Sequence, residues 1–566
     1  MNLVEEVRKI IKGDVETGDE VLEKYSHDAS ILVVKPEMVV FPKDSADIQA
    51  LVSFVAKQKK AYPNLSITAR GAGTCMAGGA INDSIILDTT RYMKGVLDIK
   101  KEKNVHYGKE MAGTVKVLPG TFYRDLEKET LQHGLLMPTY TASKELCTVG
   151  GMIGNNSGGE KTIRYGKVEN FIKELKIVFR DGNEYTIQPM SSSQFNKKTL
   201  EDSLEGELYR ELKKLLQDNE VLINEKKPKV SKNSAGYYLW NIWDKEKDIF
   251  DLCRLIVGSE GSLGIVTEIT WYLVPVEQHT KLYVVFMKDL AKLGNLVDEI
   301  LPTSPESIES YDDYSLSLAI KFMPDFLKQM SLWKFLKLGV SFIPEMLMVL
   351  RGGMPKLVLL IECTGKDEQE VSEKILKVDT IVKKYKFQTR ITKSVQDAEK
   401  YWKIRRESFN LLRKHVKGKH TAPFIDDICV EPHTLPEFLP QLNKILNEYK
   451  LVYTIAGHAG NGNFHIIPLM DFTDINTKKI VLELSEKVYA LVFRYKGTIT
   501  AEHNDGLIRT PYMLDMYGSD MYELFAKTKK LFDPENIFNP RKKVGATKEY
   551  LAEHLLVEKH NKIHGS

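Results

Sequence analysis

Cysteine is scarce: five residues among 566, at Cys75, Cys147, Cys253, Cys363 and Cys429, with no Cys-x-x-Cys pair. A set that is odd and scattered excludes a disulfide framework, a structural zinc knuckle and an iron–sulfur cluster held by this chain. Net charge is also small, because 80 Lys and Arg stand against 77 Asp and Glu and leave a formal +3. So weak a field excludes nucleic acid as an expected partner. Uninterrupted hydrophobic runs are missing too. Met1-Asn-Leu-Val-Glu-Glu-Val-Arg lacks the apolar core of a signal peptide and reads as the start of an amphipathic helix. The most apolar tract, Ser331 to Gly352, is broken by Lys334, Lys337, Pro344 and Glu345, which excludes a bilayer span. It reads as a helical lid, or as a surface resting on a membrane with its basic residues reaching back to water. The expected location is cytoplasmic, at most peripheral on the inner face of the membrane.

What is present is ordinary globular material, 43% apolar and 28% charged, long enough for several cores. Residues 1–35 read as helix and then irregular chain. Met38-Val-Val-Phe-Pro reads as a strand, and Asp44 caps a helix over Ser45–Gln58. Short strands are expected at Leu65–Ala69 and Ser84–Asp88, and a charged insertion runs near Asn196–Lys232. The tract Val274-Pro-Val-Glu-Gln-His marks a boundary. Beyond it strands are expected at Lys281–Phe286, Leu357–Glu362 and Leu451–Ala456, with helices at 367–386 and 394–416. The pattern is α+β. The expected units are an N-terminal helical segment 1–35, a domain 36–275, a second domain 276–500 with a lid insertion 314–356, a C-terminal segment 501–545 and a tail 546–566.

Three glycine-dense turns follow expected strands. Arg70-Gly-Ala-Gly-Thr74 continues through Cys75-Met-Ala to Gly78 and Gly79. Backbone N–H groups without Cβ atoms beside them can close around phosphate oxygens, with Arg70 adding charge. The spacing is neither a Rossmann fingerprint nor a Walker A motif, so a plain structural turn is the competing reading. Thr148 to Gly159 holds five glycines and two asparagines in twelve residues. Val257-Gly-Ser-Glu-Gly-Ser-Leu-Gly-Ile265 is the third. Together they favour one large ligand of dinucleotide size.

These motifs, with Pro119-Gly120 between them, resemble the FAD-binding domain of the vanillyl-alcohol-oxidase superfamily over about 36–275. The resemblance implies a two-subdomain α+β fold holding FAD extended, the 70–79 loop on its pyrophosphate. By it Arg70, Gly71, Ala72, Gly73, Thr74, Gly78, Gly79, Pro119, Thr148, Gly150, Gly151, Gly154, Asn155, Ser157, Gly158, Glu260, Gly261, Gly264 and Ile265 contact the cofactor. Some relatives attach the flavin through a histidine in the first loop. Here Thr74 and Cys75 stand there instead, and the expected attachment is non-covalent.

Histidines cluster later. Gly457-His-Ala-Gly-Asn-Gly-Asn-Phe-His465 follows an expected strand, and its glycines let His458 and His465 face one point. Glu502-His503 ends another apolar stretch. Two histidines and a carboxylate suit zinc, or iron or manganese, although spacing alone also allows separately satisfied residues. The region 276–545 resembles the C-terminal domain of FAD-linked D-2-hydroxy-acid dehydrogenases, a family that includes D-2-hydroxyglutarate and D-lactate dehydrogenases and the large subunit of glycolate oxidase. H-x-G-x-G-N-x-H is met by His458, Gly460, Gly462, Asn463 and His465. The Glu-His pair and the terminal Phe532-Asp-Pro-Glu-Asn-Ile-Phe-Asn-Pro540 also match. The resemblance implies a divalent metal, zinc before iron or manganese, on His458, His465 and Glu502. It makes His503 the base, and it implies that Asn539 returns the chain to the flavin within an α+β cap domain with an antiparallel sheet.

The resemblance further implies oxidation of a small D-2-hydroxy acid, its carboxylate held by Arg405 of Trp402-Lys-Ile-Arg-Arg-Glu407. A solvated Arg405 on a helix face is the competing reading. Two departures affect the substrate: Ala422-Pro-Phe-Ile-Asp-Asp-Ile lacks a lysine that some relatives carry there, and Glu502-His is followed by Asn504-Asp-Gly. That variant resembles long bacterial members fused to an iron–sulfur module, and Arg509 is a candidate second substrate contact. Electrons are expected to leave to a quinone, a cytochrome, an electron-transfer flavoprotein or a separate iron–sulfur subunit. A direct glycolate-oxidase-like oxidase, a non-catalytic electron-relay subunit and an ether-lipid synthase are the alternatives.

Overall fold

The computed structural model describes residues 3–313, 316–317, 353–415 and 418–557. The expected lid over 331–352 lies outside the described residues. Among the described residues, no helix is long and apolar enough to cross a membrane.

The first sheet is built on Met38–Phe41, whose four residues are all buried, as expected of a strand covered on both faces. It runs parallel to Ile85–Asp88, which in turn is parallel to Ile67–Arg70. Asp14–Glu16 joins the other edge antiparallel, so part of the segment before residue 36 belongs to this sheet. The helix Ser45–Gln58 packs its apolar face on it through Ile48, Leu51, Val52 and Val55. As expected, Asp44 caps the helix by accepting from the Asp47 N–H.

A second, antiparallel sheet has the order Val96–His106, Lys109–Val117, Ile265–Pro275, Ile172–Val178, Glu184–Ile187. Trp271, in its central strand, is fully buried. The charged insertion forms the helices Leu204–Asp218 and Glu220–Lys226. After Pro275 the chain enters an eight-stranded sheet with Gln388–Ile391 at one edge. Then follow His279–Met287, Leu357–Gly365, Ser307–Asp312, Val452–His458 and Asn463–Met470, every pairing antiparallel. The helices Glu368–Lys384 and Val395–His415 lie within a few residues of their expected spans.

The C-terminal part returns to the first sheet. Ile67 N–H donates to Ile537 O, Asn539 N–H donates to Ile67 O, and Phe538 bridges Ile67 in parallel. Asn539, fully buried, donates from Nδ2 to Gly79 O and Glu260 O, at 3.0 and 2.6 Å, and accepts from Thr68 Oγ1 at 2.9 Å. Beyond it, helix Lys548–His554 buries Leu551, and Leu555 bridges Leu32. The return expected of Asn539 is thus made, and the bridge of Leu555 to Leu32, which no sequence signal foretold, extends it.

Asn539→Ala removes three side-chain bonds at a site water cannot refill. At about 1 kcal/mol each, we expect a loss on the order of 3 kcal/mol in denaturant unfolding. An unchanged unfolding midpoint would contradict this role.

Candidate active site

A cavity of about 740 Å³ opens between the two halves of the molecule, a size typical of cofactor sites. All three glycine-dense turns line it, as do Arg405, His458, His465, Glu502 and His503. Of the residues expected at the cofactor, Arg70, Gly71, Ala72, Gly73, Thr74, Gly79, Pro119, Thr148, Gly150, Gly151, Gly154, Asn155, Ser157, Gly158, Glu260, Gly261 and Gly264 form its wall. Three lie behind it. Gly78 faces Leu32 and Leu507, Ile265 is a core residue, and Asn539 braces the loops from behind. Arg70 is also placed differently from expectation. Its guanidinium donates to the carbonyls of Tyr25, His27 and Ala80 and stacks on the Tyr25 ring, so it shapes the loop.

The histidines converge. Gly462, at φ +67°, closes the turn after His458, and a Cβ there would lie 1.9 Å from Val430 O. The turn lets Val452–His458 run back antiparallel into Asn463–Met470, with Ala456 opposite His465. His458 and His465 ring centroids are 5.2 Å apart, and those of His465 and His503 are 5.0 Å apart and stacked.

Each ring is held through Nδ1 by a carboxylate. His458 Nδ1 bonds Glu309 Oε1 at 2.6 Å. His465 and His503 share Asp426, at 3.0 and 2.7 Å. An ionised carboxylate only accepts, so Nδ1 carries hydrogen in all three rings and Nε2 turns inward. The three Nε2 atoms lie 3.0, 3.3 and 4.0 Å from one atom, Glu502 Oε1. Neutral rings would set lone pairs against that oxygen's own. The geometry therefore requires positive charge where they meet, carried by the rings or by a cation between them.

The electrostatics agree. Burial works against charge on His465, but Asp426 and Glu502 outweigh it and push the ring up to about 10. His503 is likewise raised against burial, by Asp427 and Asp426. Burial opposes ionisation of Asp426, Glu502 and Glu309, yet the neighbouring cations hold all three below the usual carboxylate range. A divalent cation meets the same demand with neutral rings, and the donor set of imidazole nitrogens and one carboxylate suits zinc, iron or manganese.

Among the described residues, distance gathers a set that leaves out His458, an expected ligand, and takes in Asp427, whose ligand atom lies with those of His465, Glu502 and His503 within 4.8 Å of one another. Its oxygens are already engaged. Oδ2 accepts from the N–H groups of Ala501, Glu502 and His503 and from Thr500 Oγ1, and Oδ1 accepts from Asn463 Nδ2. Asp427 is the anchor of the Glu502 loop. Sequence reasoning missed it, together with Asp426, Glu309 and Lys232. The fully buried Lys232 ammonium lies 2.9 Å from Glu502 Oε2, which leaves Oε1 facing the histidines. Arg509, a candidate substrate contact by sequence, is fully buried off the cavity and donates to the carbonyls of Asn504 and Asp426. Arg405 does reach the wall, with Nη2 3.0 Å from Glu309 Oε2.

The glycine loops adjoin this cluster: a Cβ on Gly158 would lie 3.1 Å from Glu502 Oε2. Glu260, on the third loop, accepts from Gly506 N–H, and burial pushes its carboxyl up to about 7.

Comparison with known proteins agrees with this arrangement. Residues 36–188 match a family model described as FAD binding domain, and residues 276–543 match FAD linked oxidases, C-terminal domain. Residues 36–188 and 276–543 thus match the two domain types of the FAD-linked oxidases, the first of them an FAD-binding domain. It is 25% identical to D-2-hydroxyglutarate dehydrogenase of Escherichia coli (strain K12), over 91% of this chain and 49% of that protein. It thus spans about half the length of such relatives. It is also 25% identical to D-lactate dehydrogenase of Archaeoglobus fulgidus, over 90% of this chain and 91% of that one. A glycolate oxidase subunit of Bacillus subtilis is 25% identical over 92% and 91% of the two chains. Among solved structures, p-cresol methylhydroxylase with substrate bound superposes with TM-score 0.65 at 14% identity, over 96% of both chains. An alkyldihydroxyacetonephosphate synthase gives 0.63 at 16%, over 95% of this chain and 84% of that one. These last two show the fold, the expected vanillyl-alcohol-oxidase type with an α+β cap.

Removing Lys232 takes from the buried Glu502 its leading counter-charge and leaves only the imidazoles to offset it. Lys232→Met should cost about 3–5 kcal/mol in denaturant unfolding of the metal-free protein. A loss under 1 kcal/mol would show that the imidazoles alone offset Glu502 and that Lys232 is dispensable.

Proposed function

We propose that this protein oxidises a D-2-hydroxy acid, of the D-2-hydroxyglutarate or D-lactate type, to the 2-oxo acid. In this reading FAD is held non-covalently and His458, His465 and Glu502 hold one divalent metal, zinc in first place. The observation that carries the reading is the inward convergence of three carboxylate-braced imidazoles on one carboxylate oxygen, on the wall of the cavity that the flavin-binding loops form. The names of the full-length relatives support the substrate class. Absence of histidine from the 70–79 loop supports non-covalent attachment.

A metal held by His458, His465 and Glu502 would supply Lewis acidity toward the substrate hydroxyl, and FAD held by the glycine loops would supply the acceptor for the C2 hydride. The chain's own groups do the rest. His503 takes the hydroxyl proton at Nε2, because Asp426 holds Nδ1–H and sets the tautomer. Asp426 also stabilises the imidazolium that results. Arg405 orients the substrate carboxylate by a charge-assisted grip. Lys232 and Asp427 keep Glu502 and its loop from moving as the substrate enters. The cysteines show no Fe–S pattern, and we assign the electrons' exit to a separate carrier: a quinone, a cytochrome, an electron-transfer flavoprotein or an iron–sulfur subunit.

Anaerobic mixing with a panel of D- and L-2-hydroxy acids should bleach the flavin absorbance with a D-acid. His503→Ala should slow that bleaching by about 10²-fold or more with FAD retained. If no acid bleaches the wild type, the reading fails; if the variant bleaches at full speed, His503 is not the base. Exhaustive chelation should stop bleaching without releasing FAD, and added Zn²⁺ should restore it. Undiminished bleaching after complete metal removal would defeat the metal assignment.

A further inference from the structure

Glu309 belongs to none of the motifs, yet it touches two of the groups that matter most. It lies on strand Ser307–Asp312, which pairs antiparallel with Val452–His458. The register sets Ser310 opposite Gly457. One residue further along, Glu309 stands across from His458 as a cross-strand neighbour. Its carboxylate is 1% exposed.

The two oxygens are divided between two elements. Oε1 accepts from His458 Nδ1 at 2.6 Å. Oε2 accepts from Arg405 Nε at 3.2 Å and lies 3.0 Å from Arg405 Nη2. His458 comes from the cap sheet and Arg405 from helix Val395–His415. Both line the cavity, as does Glu309 itself. A buried carboxylate without partners is costly, so the three side chains are stable chiefly as one assembly. Moving Arg405 moves the acceptor of His458, and rotating His458 moves the acceptor of Arg405.

We propose that Glu309 is a positioning residue that couples the two grips on the substrate, fixing the His458 ring for the metal and the Arg405 guanidinium for the substrate carboxylate through one carboxylate bridge. This rests on the function proposed above. It accounts for a carboxylate being buried beside an arginine that has to bind another carboxylate. Glu309 takes the Nε side of the guanidinium and thereby sets the plane in which the rest is offered to the ligand.

The test uses the FAD-loaded full chain with Zn²⁺. Glu309→Gln keeps the shape but weakens both bonds. We expect zinc retention against a graded chelator to fall about tenfold or more. KM for the D-acid that bleaches the wild type should rise by a similar factor, with a smaller effect on kcat, and FAD content should stay unchanged. Arg405→Ala should itself lower zinc retention in the wild type but not in the Glu309→Gln background, since the bridge is already cut. Should Glu309→Gln fail to fold, Glu309→Asp replaces it. One methylene shorter, it can hold one partner only, and either zinc retention or KM should deteriorate. Zinc retention and KM both at wild-type levels would overturn the inference, as would fully additive effects of the two substitutions on zinc retention. The broader reading fails differently: a wild type that no 2-hydroxy acid bleaches sinks the hydroxy-acid assignment, and zinc retention alone then decides for or against the bridge. A wild type that binds no zinc, iron or manganese sinks both.

Discussion

Positive charge is demanded at one point in the interior, and much of the molecule is arranged around that demand. Glu309, Asp426 and Glu502 are buried together and held in their ionised forms. Their counter-charges come from separate parts of the chain: Lys232 from the flavin-binding half, Arg405 from a cap helix, and the histidines from cap strands and a C-terminal loop. Buried ion pairs contribute little net stability but are expensive to break singly. The cluster therefore acts as a constraint on geometry. Any displacement of the cap strands from the glycine loops separates His458 and His465 from Glu502, whose loop is tied to Gly154, Gly258 and Glu260 through Asn504 and Gly506.

The flavin-binding half is braced in a comparable way. Asn539 donates to the carbonyls of Gly79 and Glu260 in two of the loops, while Arg70 and Glu260 tie their own loops to His27 O and Gly506 N–H outside them. The loops can then present backbone to the cavity while side chains hold them from outside. The arginine in the first loop looked from sequence like a phosphate contact, and it serves as scaffold because the carbonyls of Tyr25 and His27 reach it first.

Local patterns carried much of the fold. The helix Ser45–Gln58 with its Asp44 cap and the strands at Met38 and Leu357 follow from caps and apolar runs that lie within a few residues of each other. His458, His465, Glu502 and His503 were readable because glycine-rich turns and the Glu-His pair concentrate rare residue types. Lys232, Glu309 and Asp426 were not. Each is an ordinary charged residue in an ordinary stretch, and its meaning arises from partners far away in the chain. Lys232 meets Glu502 across 270 positions, and Glu309 meets His458 across 149. No local signal encodes such a meeting. Arg509 shows the converse, since a suggestive place in a motif conceals a residue that binds backbone inside the core.

The bracing of the first glycine loop by Asn539 has a temporal side. The carbonyl of Gly79 finds its side-chain partner in a residue made 460 positions later, and Ile67, on the edge of the same sheet, pairs with Ile537 and Phe538. During synthesis the nucleotide-binding half emerges early but stays unfinished until residues 537–539 have left the ribosome. A chain cut short before this point has a first glycine loop without the amide that ties it to the third.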